Sequence, residues 1–212
     1  MEKAACNMAL FASGNGTNVQ RICEHFAAHT SIHPAALFCN NPRAFVLERA
    51  SELGLPSIVF TKKELADPAF MLPRLQEYGT THVVLAGFLA QIPGYLIKKY
   101  PRRIINIHPA LLPKFGGKGM YGMHVHEAVV RAGEKQSGIS VHLVDEHYDH
   151  GQIFFQARVP LAPGDSADDC ASKIHILEQT YFPLVIEAWV KGLDKPVFPV
   201  LNQVETEYTQ TL

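Results

Sequence analysis

Asn106-Ile107-His108-Pro109 ends the apolar run that begins at Ile104. A run this apolar reads as a strand covered on both faces, and open parallel sheets collect ligands at the carboxyl ends of their strands. Alternation along the strand puts Asn106 and His108 on one side. An Asn amide can donate to a developing oxyanion and an imidazolium can donate beside it, which is equipment for the tetrahedral intermediate of acyl transfer. Neither residue then has to be a nucleophile. The loop Asp145-Glu146-His147-Tyr148-Asp149-His150-Gly151 offers carboxylates to raise the pKa of His108, fix its orientation or relay a proton. Spacing alone favours Asp149 no more than Asp145. An isolated Asn-x-His-Pro usually does no more than end a strand and start a turn.

A second group lies near the N-terminus. Ser13-Gly14-Asn15-Gly16-Thr17-Asn18 separates a strand-like run from a helix-like one, where unpaired N–H groups and the helix dipole favour an anion. The dinucleotide fingerprint is incomplete: Val19 stands at its third glycine and Asn40-Asn41 at its acidic residue. No Gly-Lys-Ser/Thr follows, so the Walker A pattern fails as well. A bare tight turn is an equal reading of these glycines. Glu178 is a third candidate: Ile174, His175, Tyr181 and Phe182 are its helical neighbours, so its carboxylate leaves a largely apolar face and needs a partner.

The elements around these groups follow from periodicity. Strands are expected at Met8–Ala12, Ala35–Cys39, Pro56–Phe60, Val83–Ala86 and Ile104–Ile107, with helices at Val19–Ala27, Phe45–Leu53 and around Ile97. Glu64–Tyr78 reads as a helix broken near Pro73. Such alternation implies a mostly parallel sheet. After residue 109 come a Gly-rich loop at Lys114–Gly122, a helix at Val125–Ala132, and two strands, Gly138–Val144 and Gln152–Val159, expected to be antiparallel. Ser166 to Asp169 resembles a capping box opening a long helix, kinked near Pro183 and stopped around Gly192, and a polar tail follows. The fold class is α/β: an open, mostly parallel twisted sheet with helices on both faces, antiparallel toward the C-terminal part.

Composition narrows the function. A chain of 212 residues, 47% hydrophobic, can bury one large core, so a single domain is expected. With 19 basic and 20 acidic residues, no global field draws nucleic acid or an anionic membrane. Cys6, Cys23, Cys39 and Cys170 lack Cys-x-x-Cys spacing and read as reduced thiols. Neither a signal-like apolar run nor a spanning stretch is present, so a soluble cytoplasmic protein is expected.

The stretch Asn106-Ile107-His108-Pro109-Ala110-Leu111-Leu112-Pro113-Lys114-Phe115 resembles the signature of the folate-dependent formyltransferases, N-x-H-P-S-L-L-P-x-[FY], with Ala110 in place of the usual Ser. Ser140-Val141-His142-Leu143 and Asp149-x-Gly151 extend the match. Within the family, the Ser13–Asn18 turn, Leu85-Ala86-Gly87-Phe88 and Gly164-Asp165-Ser166 look like the branch whose acceptor is glycinamide ribonucleotide. The resemblance implies transfer of a formyl group from 10-formyltetrahydrofolate, a co-substrate, with no tightly bound cofactor and no metal. It implies that Asn106 and His108 stabilise the oxyanion and that Asp149 holds His108 and moves the proton. It places the acceptor's phosphate at Gly16, Thr17 and Asn18, and its amine or ribose at Glu178. The pterin would be surrounded by Leu89, Ala90, Gln91 and Ile92, by Asn106, and by Val144, Asp145, Glu146, His147, Tyr148 and Asp149. It makes 1–212 one formyltransferase domain, with a phosphate-binding half over about 1–100 and a folate and catalytic half over about 101–212.

Two departures matter. Ala90 stands where part of the family has Arg, so that side chain's contribution does not carry over. The loop Phe115–Met123 is about five residues longer than the usual connection, and its glycines predict mobility. Three rivals are weighed. His124-x-His126 with His147-x-Asp149-His150 could mark a metal-dependent hydrolase. A sibling could use the same donor for another acceptor or for hydrolysis, although length and charge argue against a tRNA or amino-sugar branch. A non-catalytic phosphate-binding module would leave Asn106, His108 and Asp149 without a purpose.

Overall fold

The computed structural model describes residues 5–193 and 196–209. The chain divides into two compact units, Met1–Ile105 and Asn106–Leu212.

The first unit alternates strand and helix: β1 (Cys6–Ala12), α1 (Thr17–Phe26), β2 (Ile32–Cys39), α2 (Val46–Glu52), β3 (Ser57–Val59), α3 (Lys62–Ala66), α4 (Pro68–Glu77), β4 (His82–Leu85), α5 (Gly94–Lys99) and the start of β5 (Ile104–His108). Strand order is β3-β2-β1-β4-β5, and β1 pairs in parallel with both β2 and β4. A strand enclosed in this way has no polar face, and Met8, Ala9, Leu10, Phe11 and Ala12 are fully buried. Phe11 stacks on Phe38 at 5.0 Å and meets Phe88 edge-on at 5.3 Å. Each such buried ring contributes about 1.5–3 kcal/mol.

The break expected near Pro73 falls instead at Asp67. Residues before proline avoid the helical region, and Asp67 is extended, caps α4 through its bond from the Ala69 N–H (2.9 Å), and puts Pro68 at the first helical position. Pro73 lies inside α4.

The second unit contains the end of β5, then α6 (Met123–Arg131), β6 (Gln136–Leu143), β7 (Ile153–Pro160), α7 (Ala167–Lys191) and β8 (Glu205–Tyr208). Its strand order is β5-β6-β7-β8, and both β6–β7 and β7–β8 are antiparallel. The Ser166–Asp169 capping box is present, α7 is continuous through Pro183, and Gly192 ends it in the left-handed region at φ 63°. Helix α7 packs on β6 and β7 and buries Ile174, Leu177, Tyr181, Phe182, Val185 and Ile186. Strand β8 lies in the tail that reads as polar and irregular. Its residues Glu-Thr-Glu-Tyr carry no apolar alternation, and tertiary partners hold them: Arg158 pairs with Glu207 at 3.1 Å and Phe154 meets Tyr208 edge-on. The fold class is the expected one, α/β with a mostly parallel sheet flanked by helices and antiparallel strands toward the C-terminus.

Candidate active site

Strand β5 delivers Asn106 and His108 to one carboxylate. The Nδ1 of His108 lies 3.6 Å from Asp149 Oδ2, and the Asn106 amide donates to Asp149 Oδ1 at 3.3 Å. Asp149, not Asp145, is therefore the carboxylate that faces His108. Asp145 instead accepts the His147 N–H at 2.8 Å and shapes its own loop. The second oxygen of Asp149 accepts the Gly117 N–H at 2.9 Å. His108 Nε2 lies 2.8 Å from the Phe115 carbonyl, which only accepts, so that nitrogen carries a proton.

Glycines and left-handed residues shape this cluster. A Cβ on Gly151 would sit 1.6 Å from the Leu143 carbonyl oxygen, which is why the loop that carries Asp149 closes on Asp-x-Gly. A Cβ on Gly116 would approach Leu112 to 2.5 Å and Asp149 Cβ to 3.2 Å. Phe115 and Asp149 themselves adopt φ 55°. For a bulky residue such as Phe115 that conformation is costly, and its carbonyl is the one bonded to His108.

His142 is a member of the site to which sequence reasoning assigned no role. It is 2% exposed, its Nδ1 lies 2.8 Å from the Leu143 carbonyl, and its Nε2 faces the Asn106 amide at 3.1 Å and Asp149 Oδ1 at 3.5 Å. A signal was available: Ser140 and His142 are polar residues two apart in the apolar stretch Ile139 to Leu143 that ends the strand. Ser140 donates to the Ala110 carbonyl at 2.8 Å and accepts the Leu112 N–H at 3.0 Å, pinning the segment after His108.

Burial is the largest influence on His108 and lowers its pKa; Asp149 and the Phe115 carbonyl pull upward without overcoming it. The expected rise is thus corrected, and near neutral pH His108 is a neutral donor. Asp149 is held below the usual carboxylate range: burial pushes it up, but the His142 ring, the charge of His108 and the Gly117 N–H together outweigh that. Glu178 projects from α7 with its side chain 16% exposed and lies 3.9 Å from His175 Nδ1. Its charge also pulls upward on His108 and His126, whose pKa values burial nonetheless lowers, so it acts on the same cluster.

The metal rival loses its ligands. His126 is buried 3.7 Å from Cys170, His124 pairs with Glu127 at the surface, and Asp149 is taken by His108, Asn106 and Gly117. Among the described residues no three His, Cys, Asp or Glu side chains are arranged so that they could hold a metal ion. Burial pushes the Cys6 thiol to about 11 and Cys23 to about 12, so neither is a thiolate near neutral pH.

In the first unit, β1 ends at a turn held from several sides. Ser13 donates its N–H to the Gly87 carbonyl at 3.0 Å and its hydroxyl to Asn40 Oδ1 at 2.7 Å, and it accepts the Leu89 N–H at 3.0 Å. Gly16 takes φ 84°, and a Cβ there would come within 2.4 Å of the Val46 side chain and 2.8 Å of its Cα. At Gly14 a Cβ would meet nothing within 4 Å among the described residues. Helix α1 then begins at Thr17 with no side-chain cap and no acidic residue in its first turn, unlike the boxed starts of α3 and α7. Of the remaining segment, Leu89 is exposed and Ile92 buried. In the second unit, Val144 and Asp145 are half-buried and Glu146, His147 and Tyr148 are exposed.

Residues 6–186 match the family model described as formyl transferase. The chain belongs to the formyl transferase family. A phosphoribosylglycinamide formyltransferase of Escherichia coli is 34% identical, covering 88% of this chain and 88% of that protein. The chloroplastic phosphoribosylglycinamide formyltransferase of Arabidopsis thaliana is 37% identical over 85% of this chain, which spans 64% of that longer relative, less than two thirds. The crystal structure of phosphoribosylglycinamide formyltransferase from Streptococcus pneumoniae superposes with a TM-score of 0.76, at 37% identity, covering 86% of this chain and 98% of that one. In this formyl transferase the departure at position 110 is accommodated by burial: Ala110 is fully enclosed, and Ser140 holds its carbonyl.

Proposed function

We propose that the protein transfers the formyl group of 10-formyltetrahydrofolate to the amine of glycinamide ribonucleotide, giving formylglycinamide ribonucleotide in purine biosynthesis. The observation that carries this reading is the convergence of Asn106, His108 and His142 on the single carboxylate of Asp149. Family membership supplies the chemistry that such a cluster serves.

The acceptor amine attacks the formyl carbon, and the carbonyl electrons move onto oxygen. The Asn106 amide donates to that oxyanion by giving up the longer of its two bonds, 3.3 Å to Asp149, and the Nε2–H of His108 donates beside it by leaving the Phe115 carbonyl, 2.8 Å away. Asp149, held ionised, takes the proton from the attacking amine and returns it to N10 as the C–N10 bond breaks. The products are the formamide and tetrahydrofolate, and the folate is a consumed co-substrate.

Binding roles are assigned by unit, within one formyltransferase domain. In the first, Gly16, Thr17 and Asn18 hold the acceptor's phosphate at the uncapped start of α1, and Leu89 to Ile92 meet the pterin through backbone groups and the exposed Leu89 side chain. Ala90 supplies backbone only. In the second, Val144 to Asp149 meet the pterin, with Tyr148 exposed there, and Glu178 holds the acceptor's amine or ribose. The four cysteines are free thiols, which suits a reducing compartment, and the enzyme is assigned to the cytoplasm. No described helix is long and apolar enough to cross a membrane.

The test is formyl transfer from a 10-formyl folate to synthetic glycinamide ribonucleotide, followed by absorbance. Wild type should turn over, and His108→Ala should lose about 10²–10⁴-fold in kcat. Deformylation that ignores the acceptor would reassign the branch. Absence of any reaction with either acceptor or water would overturn the chemistry.

A further inference from the structure

Each peptide of the Ser13–Gly16 turn is held by its carbonyl. Ser13 O accepts from Asn41 Nδ2 at 3.4 Å, Gly14 O from the Val46 N–H at 3.1 Å, Asn15 O from Arg49 Nε at 3.0 Å, and Gly16 O from the Gln20 N–H at 2.9 Å. In a trans peptide the carbonyl and the following N–H point in opposite directions. Holding these four carbonyls therefore turns the N–H groups of Gly14, Asn15, Gly16 and Thr17 the other way, as a concave anion receptor requires.

Three of the four holders are neutral amides. The fourth is Arg49 on α2, and the carbonyl it grips belongs to the Asn15–Gly16 peptide, whose N–H is that of Gly16. The guanidinium is fixed on every side: Nη2 donates to Asn15 Oδ1 at 2.9 Å, Nη1 donates to Gln20 Oε1 on α1, and the Phe45 ring lies 4.9 Å away. Arg49 thus ties the turn to the first helix that follows it. A lysine ammonium cannot reproduce that planar fork.

We infer that Arg49 is a positioning residue for the acceptor's phosphate: it fixes the Asn15–Gly16 peptide with its N–H outward and sets a permanent positive charge behind the turn. The inference rests on the reading of this turn as the phosphate site. Arg49 touches the peptide, not the substrate.

The experiment compares glycinamide ribonucleotide with its dephosphorylated riboside as acceptors, using wild type, Arg49→Met and Arg49→Lys, with folding checked by circular dichroism. Wild type should prefer the phosphorylated acceptor. Arg49→Met should lose about tenfold in kcat/KM for that acceptor, through KM, while the riboside and the formyl donor keep their constants. Arg49→Lys, which keeps the charge and loses the fork, should recover only part. If both acceptors fall equally, or the preference survives intact in Arg49→Met, the inference is overturned while the turn's role stands. If wild type shows no preference, the phosphate reading itself fails. Should Arg49→Met not fold, full preference in a folded Arg49→Lys overturns the fork-based role.

Discussion

At Gly14–Thr17 the groups turned outward are backbone N–H groups; at Asn106–Asp149 they are side chains. The turn in the first unit is set by a left-handed glycine, by Val46 packed where a Cβ would go, and by carbonyls gripped from behind. Its donors do not titrate in the working range. The cluster in the second unit sets one carboxylate against two imidazoles and an amide, and burial shifts its proton equilibria. A site that only holds an anion can be built from peptide bonds, whose dipoles are permanent. A site that must move a proton needs groups whose charge can change, and those must be shielded from water to be tuned. Helix starts differ within a unit as well. Helices α3 and α7 spend a Thr or Ser hydroxyl on their own N–H groups, while α1 leaves that end without a side-chain cap.

The comparison breaks most sharply at Asp149. Asp149→Asn keeps the shape and removes the proton acceptor, so kcat should fall by about a hundredfold or more with little change in either KM. Because Asp149 raises the His108 pKa, the variant's His108 should titrate lower still than in wild type, measured by NMR. A His108 pKa that rises in the variant would remove Asp149 from the site's electrostatics. Next in size is Gly16→Ala. The new Cβ meets Val46 at a backbone conformation unsuited to alanine, at a cost of about 1–3 kcal/mol, and should raise the acceptor's KM about tenfold while the donor's KM stays put. A fall in kcat with KM intact would show that the two regions are not separate in function.

The smallest effect is on acid stability, and here the two units behave alike. His108 in the second unit and His82 in the first both have folded pKa values below the unfolded value, His82 at about 4, chiefly through burial with the Arg103 charge adding to it. For each, protonation opposes folding. The stabilising contribution is full above the unfolded pKa of about 6.5 and is lost as pH falls through the folded pKa. Denaturant melts between pH 7 and 4 should show declining stability, and His82→Asn should flatten part of that decline without altering kcat. An unchanged slope would contradict the assignment for His82.

Much of this was legible in the chain itself. The order of strands and helices follows from apolar periodicity, because the β1 run from Met8 to Ala12 has no polar residue to put on any face. Spacing did not separate Asp145 from Asp149, since both lie within the same short loop; the family resemblance picked Asp149, and Asp149 is the one that lies against His108. Nor was the break at Asp67, where capping and the following proline outweighed the proline inside α4. His142 and Arg49 were missed for a common reason: each acts through partners far away in sequence, 36 and 34 residues off.

Local sequence determined which backbone segments could be strand, turn or helix, because those preferences come from sterics and burial within a few residues. It also determined that an Asn, a His and a carboxylate were available for acyl transfer. Only the tertiary structure set a carboxylate 3.6 Å from His108, decided that burial outweighs it and leaves the imidazole neutral, and put an arginine behind the Ser13–Gly16 turn. Those outcomes depend on distances between segments remote in the chain, and on how thoroughly water is excluded around them.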